Sequence, residues 1–301
     1  MKKLILTSLF SFLSLAVLAQ NADSVVVTKE GNLGFNFANV GLSNWAAGGE
    51  NSLSLGTVYF NKFTRVKGKT KWVHQIDFAL GGAKVGKQDF KKTDDQIILA
   101  SAYSHKFKPK WDYSVVGVFR TQLLEGNTFA PDPNNPGGEI ATKISNFMAP
   151  GYLNINLGIT YDPSEKFSAN IAPAAGKFTF VSDDDLAAIG AFGVKPGENF
   201  RAEFGTNILM VLNLPIAENI DFRGSANFFS NYETFGNVDT NIDALLTAKV
   251  NDWFNASFGA QLIYDDDVKI EQPDGSFERK IQFKHVINMG LNFVLFKAKS
   301  E

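Results

Sequence analysis

Residues Ile281–Phe296 read I-Q-F-K-H-V-I-N-M-G-L-N-F-V-L-F, and the reading of this stretch decides the fold. At period two, Ile281, Phe283, His285, Ile287, Met289, Leu291, Phe293 and Leu295 form one face. Gln282, Lys284, Val286, Asn288, Gly290, Asn292, Val294 and Phe296 form the other. One apolar side and one polar side suit a β-strand in a soluble sandwich or in a barrel in lipid. Length separates the two. Sixteen residues at ~3.3 Å each reach about 50 Å, whereas a globular strand has about 5–6 residues and a tilted strand crosses a bilayer in about 9–11. The stretch is expected to cross a membrane and project beyond it.

Upstream, the same period recurs, and with the last strand it makes twelve segments. The shortest is the seventh, marked only by Phe167, Ala169 and Ile171. Short connections fall at Val66–Thr70, Lys108–Lys110, Asp162–Glu165, Pro215–Asn219 and Asn251–Trp253. Long ones fall at Val40–Glu50, Gly82–Asp94, Leu124–Pro150, Pro173–Asn199, Ser230–Thr240 and Asp265–Lys280. They alternate strictly. A soluble sandwich has no reason to keep every long loop at one end, but an outer-membrane barrel has tight periplasmic turns and long external loops. The expectation is an all-β, closed antiparallel transmembrane β-barrel of about twelve strands, with ten or fourteen as alternatives.

The phase of the charges agrees. A Lys on the lipid face near the midplane costs roughly 2–4 kcal/mol. The lumen-facing phase takes Lys62, Asp77, Asp112, Arg120, Arg201, Glu203, Asp221, Arg223, Asp243, Lys249 and Lys284, with Lys106 beside them. Aromatics flank the short turns: Phe63 and Trp72, Phe107 and Trp111, Tyr161 and Phe167, Trp253 and Phe254. That is the expected periplasmic girdle. Lipid offers no partner to a backbone N–H or C=O, so the first strand must pair with the last.

The ends of the chain give its address. Lys2 and Lys3, an apolar run from Leu4 and the small-residue site Val17-Leu18-Ala19 read as a signal peptide over residues 1–19, cleaved before Gln20. Its loss removes two of the 29 basic residues against 31 acidic ones and takes the formal charge from −2 to −4. Residues 20–30 read as a periplasmic leader, 31–296 as the barrel and 297–301 as a tail. No other apolar run reaches the ~18 residues of a helical span. The chain has no cysteine, so an exported protein of this kind has no disulfide framework. A slightly acidic chain without a basic block makes nucleic acid an unsuitable partner. The expected partners are outer-membrane lipid and lipopolysaccharide, the barrel-insertion machinery, and a small polar solute in the lumen.

Six segments carry a resemblance: L-S-N-W-A-A-G-G-E-N-S-L-S-L (Leu42–Leu55), K-K-T-D-D-Q (Lys91–Gln96), I-S-N-F-M-A-P-G-Y-L (Ile144–Leu153), P-A-A-G-K-F-T-F-V-S-D-D-D-L-A-A-I-G-A-F-G-V (Pro173–Val194), F-F-S-N-Y (Phe228–Tyr232) and Q-L-I-Y-D-D-D-V-K-I (Gln261–Ile270). The chain resembles an uncharacterised family of Bacteroidetes outer-membrane barrels, filed as a domain of unknown function, over about residues 31–296. The resemblance implies a barrel in the outer membrane and supplies no activity.

Candidate chemistry is sparse. His74, His105 and His285 are the three histidines, all on the outward phase. Barrel lipid hydrolases place His beside Ser at the lipid face, yet no G-x-S-x-G occurs and no Ser–His–Asp set assembles by spacing. Amphipathic residues at the headgroup level are the plainer reading. In the loops, Asp183, Asp184 and Asp185 read as a helix start with Ser182 as N-cap and Gly190 or Gly193 as the stop. Asp265, Asp266 and Asp267 read as the solvated start of a hairpin turning at Pro273-Asp274-Gly275. Neither run has EF-hand spacing, and no metal or cofactor is expected. Trp45, between Asn44 and the Gly48-Gly49 pair, stacks a ligand or simply sits in a structural loop. P-D-P-N-N-P-G-G (Pro131–Gly138) reads as an exposed loop. Three functions are left open: a narrow channel or uptake protein, a display barrel with a closed lumen, and a lipid hydrolase.

Overall fold

The computed structural model describes residues 24–43, 50–135, 138–272 and 276–297. The expected signal peptide, Trp45 with its loop 44–49, the turn Pro273–Gly275 and the residues beyond 297 lie outside them. Twelve strands close a barrel: β1 (Val25–Val40), β2 (Ser52–Lys67), β3 (Thr70–Val85), β4 (Lys91–Lys108), β5 (Trp111–Thr121), β8 (Gly151–Ser164), β9 (Phe167–Phe180), β10 (Phe200–Ala217), β11 (Ile220–Asn231), β12 (Asp239–Lys249), β13 (Phe254–Tyr264) and β16 (Gln282–Phe296). Four shorter strands pair off in two loop hairpins, β6 (Gly126–Pro131) with β7 (Glu139–Ser145) and β14 (Ile270–Glu271) with β15 (Phe277–Glu278).

Each barrel strand pairs antiparallel with its neighbours, and β1 pairs with β16 to close the ring. Closure leaves no edge along the paired length, which is what a hydrocarbon surround demands. Large apolar side chains such as Phe35, Tyr113, Phe204 and Met289 are exposed on the outer surface. Short turns collect at one end and long loops at the other. At the short-turn end aromatics meet in pairs: Trp72 with Tyr103 (6.2 Å), Phe107 with Tyr113 (4.3 Å) and Trp111 with Tyr161 (4.6 Å).

Four expectations change. The strand at Val25 begins inside the supposed leader, because Val25–Glu30 continue the ladder with β2 from Lys67 to Lys62. The seventh barrel strand, β9, does not stop before Pro173 but runs to Phe180. Its ladders with β8 and β10 shift register near Ala172 (between Leu157 and Ile159, and between Gly205 and Asn207). The bulge resets the period-two phase, so a reading by alternation loses the strand there. Leu124–Pro150, read as one long loop, contains the β6–β7 hairpin. Finally, helix α1 (Asp184–Ala188) is capped by Asp183, which accepts from the Leu186 amide, and not by Ser182, whose hydroxyl donates to the Phe147 carbonyl.

The hairpin and α1 pack into a cap above β5, β8, β9 and β10. Ala149, Val181, Leu186, Ala187 and Val194 form its buried core, with Ala191 and Phe192 against it. The strand residues buried most deeply also lie beneath this side, among them Asn156, Thr179 and Asn207.

Candidate functional site: the charged lumen

One ladder row crosses four adjacent strands: Phe60 on β2 faces Asp77 on β3, which faces Ile98 on β4, which faces Arg120 on β5. Both ends of the row reach the opposite wall. The Arg120 guanidinium Nη2 donates to Asp243 Oδ2 on β12 at 3.1 Å. Arg223 on β11 lies over the Phe60 ring, 4.6 Å from its centroid. β5 and β12 stand five places apart in the ring, as do β2 and β11. In a ring of twelve these contacts span the lumen almost across its diameter, so side chains form a constriction at mid-height. Gln261 donates to Asp243 Oδ1 at 2.7 Å and Gln75 to Asp77 Oδ2 at 2.7 Å, holding both carboxylates in place.

A second group stands at the long-loop end. Lys177 on β9 is buried, with its ammonium 2.6 Å from Asp239, 2.7 Å from Asp265 and 3.8 Å from Glu203. Arg201 binds Glu203 at 3.1 Å and Asp267 at 2.6 Å, and donates to the Gly193 carbonyl of the cap at 3.0 Å. The triple-aspartate run after β13 is therefore no solvated hairpin start: Asp265 and Asp267 serve barrel cations, and Asp266 accepts from Asn237 at 2.7 Å. Oxygens of Glu203, Asp239 and Asp267 lie within 4.8 Å of one another, as metal ligands would. Lys177 and Arg201 already pair with all three, and the cluster reads as an ionic clamp.

The other predicted lumen residues are distributed along the wall. Lys284 on β16 reaches Asp94 on β4 at 2.7 Å, four places around the ring. These two line a cavity of about 440 Å³ with Asn36, Thr57, Val58 and Asn288, on the long-loop side of the constriction. Asp221 and Lys249 pair at 2.7 Å near the short-turn end, and Lys62 stands 3.9 Å from Glu30. Asp112 is buried and accepts from the Ser104 hydroxyl at 3.2 Å. Lys177, Asp239, Asp162 and Lys71 were not singled out from the sequence, yet Lys71 joins Asp162 at 2.9 Å across three places of the ring. The bulge hid Lys177. Asp239 could have been found from its period-two phase with Asp243.

In the cap, Lys143 on β7 binds Asp183 at 2.8 Å and Asp185 at 2.7 Å. Hydrogen bonds from Asn146 and then Lys143 hold the Asp183 carboxyl down to about 2, and the hydrogen bond to Asp183 raises the Lys143 ammonium above its ordinary value. Asp184 and Asp185 occupy the first turn of α1, where the helix dipole favours them.

The histidines lie among rings. His74 is 4.8 Å from Trp72 and faces Ser101 across the ladder, and that Ser hydroxyl accepts from the Trp72 indole at 3.1 Å. His285 sits 5.8 Å from Phe283.

Solved structures that resemble the chain are outer-membrane barrels. They include the NanC porin (9% identity, covering 89% of this chain and 99% of that one, TM-score 0.35). A second is the translocator domain of the autotransporter NalP from Neisseria meningitidis (10%, 97% and 97%, TM-score 0.34). A third is an outer-membrane channel from Pseudomonas putida F1 (8%, 92% and 98%, TM-score 0.36). At such TM-scores the likeness carries no argument, and the barrel assignment rests on the pairing of β1 with β16. No curated protein matches the sequence. Residues 37–127, less than half of the chain, match the model of the family described as "Protein of unknown function (DUF3078)", and this match spans β2 to β5 of the closed barrel.

Proposed function

We propose that the protein is exported to the outer membrane and acts there as a narrow, non-enzymatic channel for small polar solutes. The observation that supports this reading is the charged layer at mid-lumen, where Arg120 meets Asp243 and Arg223 meets Phe60. A barrel with only a structural role has no need to set charged side chains against one another across its bore, since apolar packing fills such a space at lower desolvation cost. A polar constriction between wider vestibules selects solutes by size and charge. Single-channel recording in planar bilayers tests it. The native protein should give small steps, and Arg120→Ala with Asp243→Ala should widen the bore and raise conductance by about two-fold or more. Silence from both folded proteins would sink the channel.

The second reading, a closed display barrel, draws on the cap, whose own apolar core covers one side of the mouth. It expects no conductance and loops that bind a partner. Lipid hydrolysis is the least supported, because His74 and His285 pack against the outer aromatic rings.

A further inference from the structure

The constriction has spare donors and few spare acceptors. Both oxygens of Asp243 are occupied, by Arg120 and Gln261, and Asp77 is held by Gln75. Each arginine carries about five N–H donors in a rigid fork. Arg120 uses Nη2 on Asp243, while its Nη1 has no partner among the described residues. Arg223 makes no hydrogen bond among the described residues, and its ion–ring contact with Phe60 leaves the edge of the fork free. The layer holds two arginines and two aspartates, so formal charge alone favours neither sign of ligand. Hydrogen bonding does favour one: Arg223 stands exposed in the lumen with its fork unused, and a planar oxyanion engages such a fork bidentately. A cation would find one carboxylate oxygen of the layer without a partner among the described residues, Asp77 Oδ1, against the open edges of two guanidinium forks.

From this we infer that Arg120 and Arg223 form a subsite for the carboxylate of a small acidic solute at mid-lumen. The inference rests on the reading of the lumen as a solute path, and it names the class of solute. The carboxylate takes the free edge of one or both guanidinium forks, and Phe60 and Ile98, in the same ladder row, offer the solute's carbon skeleton an apolar wall.

Binding is measured apart from conduction, by ligand-detected NMR titration of the detergent-solubilised full chain with gluconate, sorbitol and choline. Gluconate should bind at least about tenfold tighter than sorbitol, its uncharged counterpart, and choline should not compete. Arg120→Gln with Arg223→Gln should lower gluconate affinity to the sorbitol level. Arg120→Lys, which keeps the charge and loses the fork, should fall between. Equal binding of gluconate and sorbitol, preference for choline, or gluconate binding that survives the double substitution would overturn the subsite. The three-probe comparison needs only the native chain, so it decides even where a variant fails to fold. Gluconate binding by a protein that is silent in bilayers would leave the subsite standing and remove the channel.

Discussion

The wall of β8, β9 and β10 and the seam between β1 and β16 close the same cylinder by different means. In the wall, strands pair along their length, the buried Lys177 binds three carboxylates, and the cap sits above with its own core. At the seam, pairing runs only from Gly31–Phe296 to Asn36–Gly290. Beyond it Phe37–Val40 pair with β2 alone and Gln282–Met289 with β13 alone. The contrast teaches that topology sets which strands must meet, whereas side chains set how firmly. In the wall, ion pairs between strands several places apart add to the ladder. Across the seam itself the short ladder is joined by one edge-to-face ring contact, Phe35 with Phe293, and by close approach at glycine, since a Cβ on Gly290 would stand 2.2 Å from the Phe35 carbonyl oxygen.

If the wall is the firmer region, its clamp should be the costliest element to lose. Lys177→Met strands Asp239, Asp265 and Glu203 without their shared cation, and should lower unfolding stability in guanidinium by roughly 3–5 kcal/mol. Adding Asp239→Asn in the same background should recover part of that loss. A Lys177→Met protein as stable as the parent would reverse the ranking. The seam should yield to a smaller insult. Gly290→Val forces β1 and β16 apart at the last paired position and should cost roughly 1–3 kcal/mol, read as a lower thermal transition in vesicles. Gly117→Ala is the matched control, because its nearest neighbour would be 3.9 Å away. Equal effects of the two substitutions would show that the seam has slack.

The smallest effect belongs to the cap. Asp183 has its folded-state pKa depressed to about 2, below the unfolded value of about 3.9. Its contribution is thus fully present above pH ~4 and is lost as pH falls through about 2. Hydrogen exchange of the α1 amides should quicken over that window while the barrel strands stay protected. At neutral pH, Asp183→Ala should loosen the same amides through loss of the N-cap. Exchange that is flat from pH 4 to 2 would detach the cap from Asp183.

The barrel was legible because period two and the alternation of loop lengths are local signals, written residue by residue. β16 needed nothing more. Where the signal broke, so did the reading: the bulge near Ala172 shifts the phase, and Lys177 moved from a supposed loop into the lumen. The fates of Asp265 and Asp267 were hidden for another reason. Their partners Lys177 and Arg201 lie 88 and 66 residues away, and no spacing rule joins them. Phase could choose Arg120, Asp243 and Arg223 as lumen candidates one by one, but not that Arg120 and Asp243 would touch each other.

The half-length seam also bears on the lipid beside it. Six residues, Gly31–Asn36, carry the pairing with β16. At ~3.3 Å per residue and a tilt of about 45° they rise about 14 Å, against an apolar band of about 25 Å on such barrels. Backbone groups above Asn36 and Gly290 still require water or headgroups. Set in a bilayer, the barrel would draw water and headgroups down along this one flank and thin the leaflet locally, on the side of its last strand.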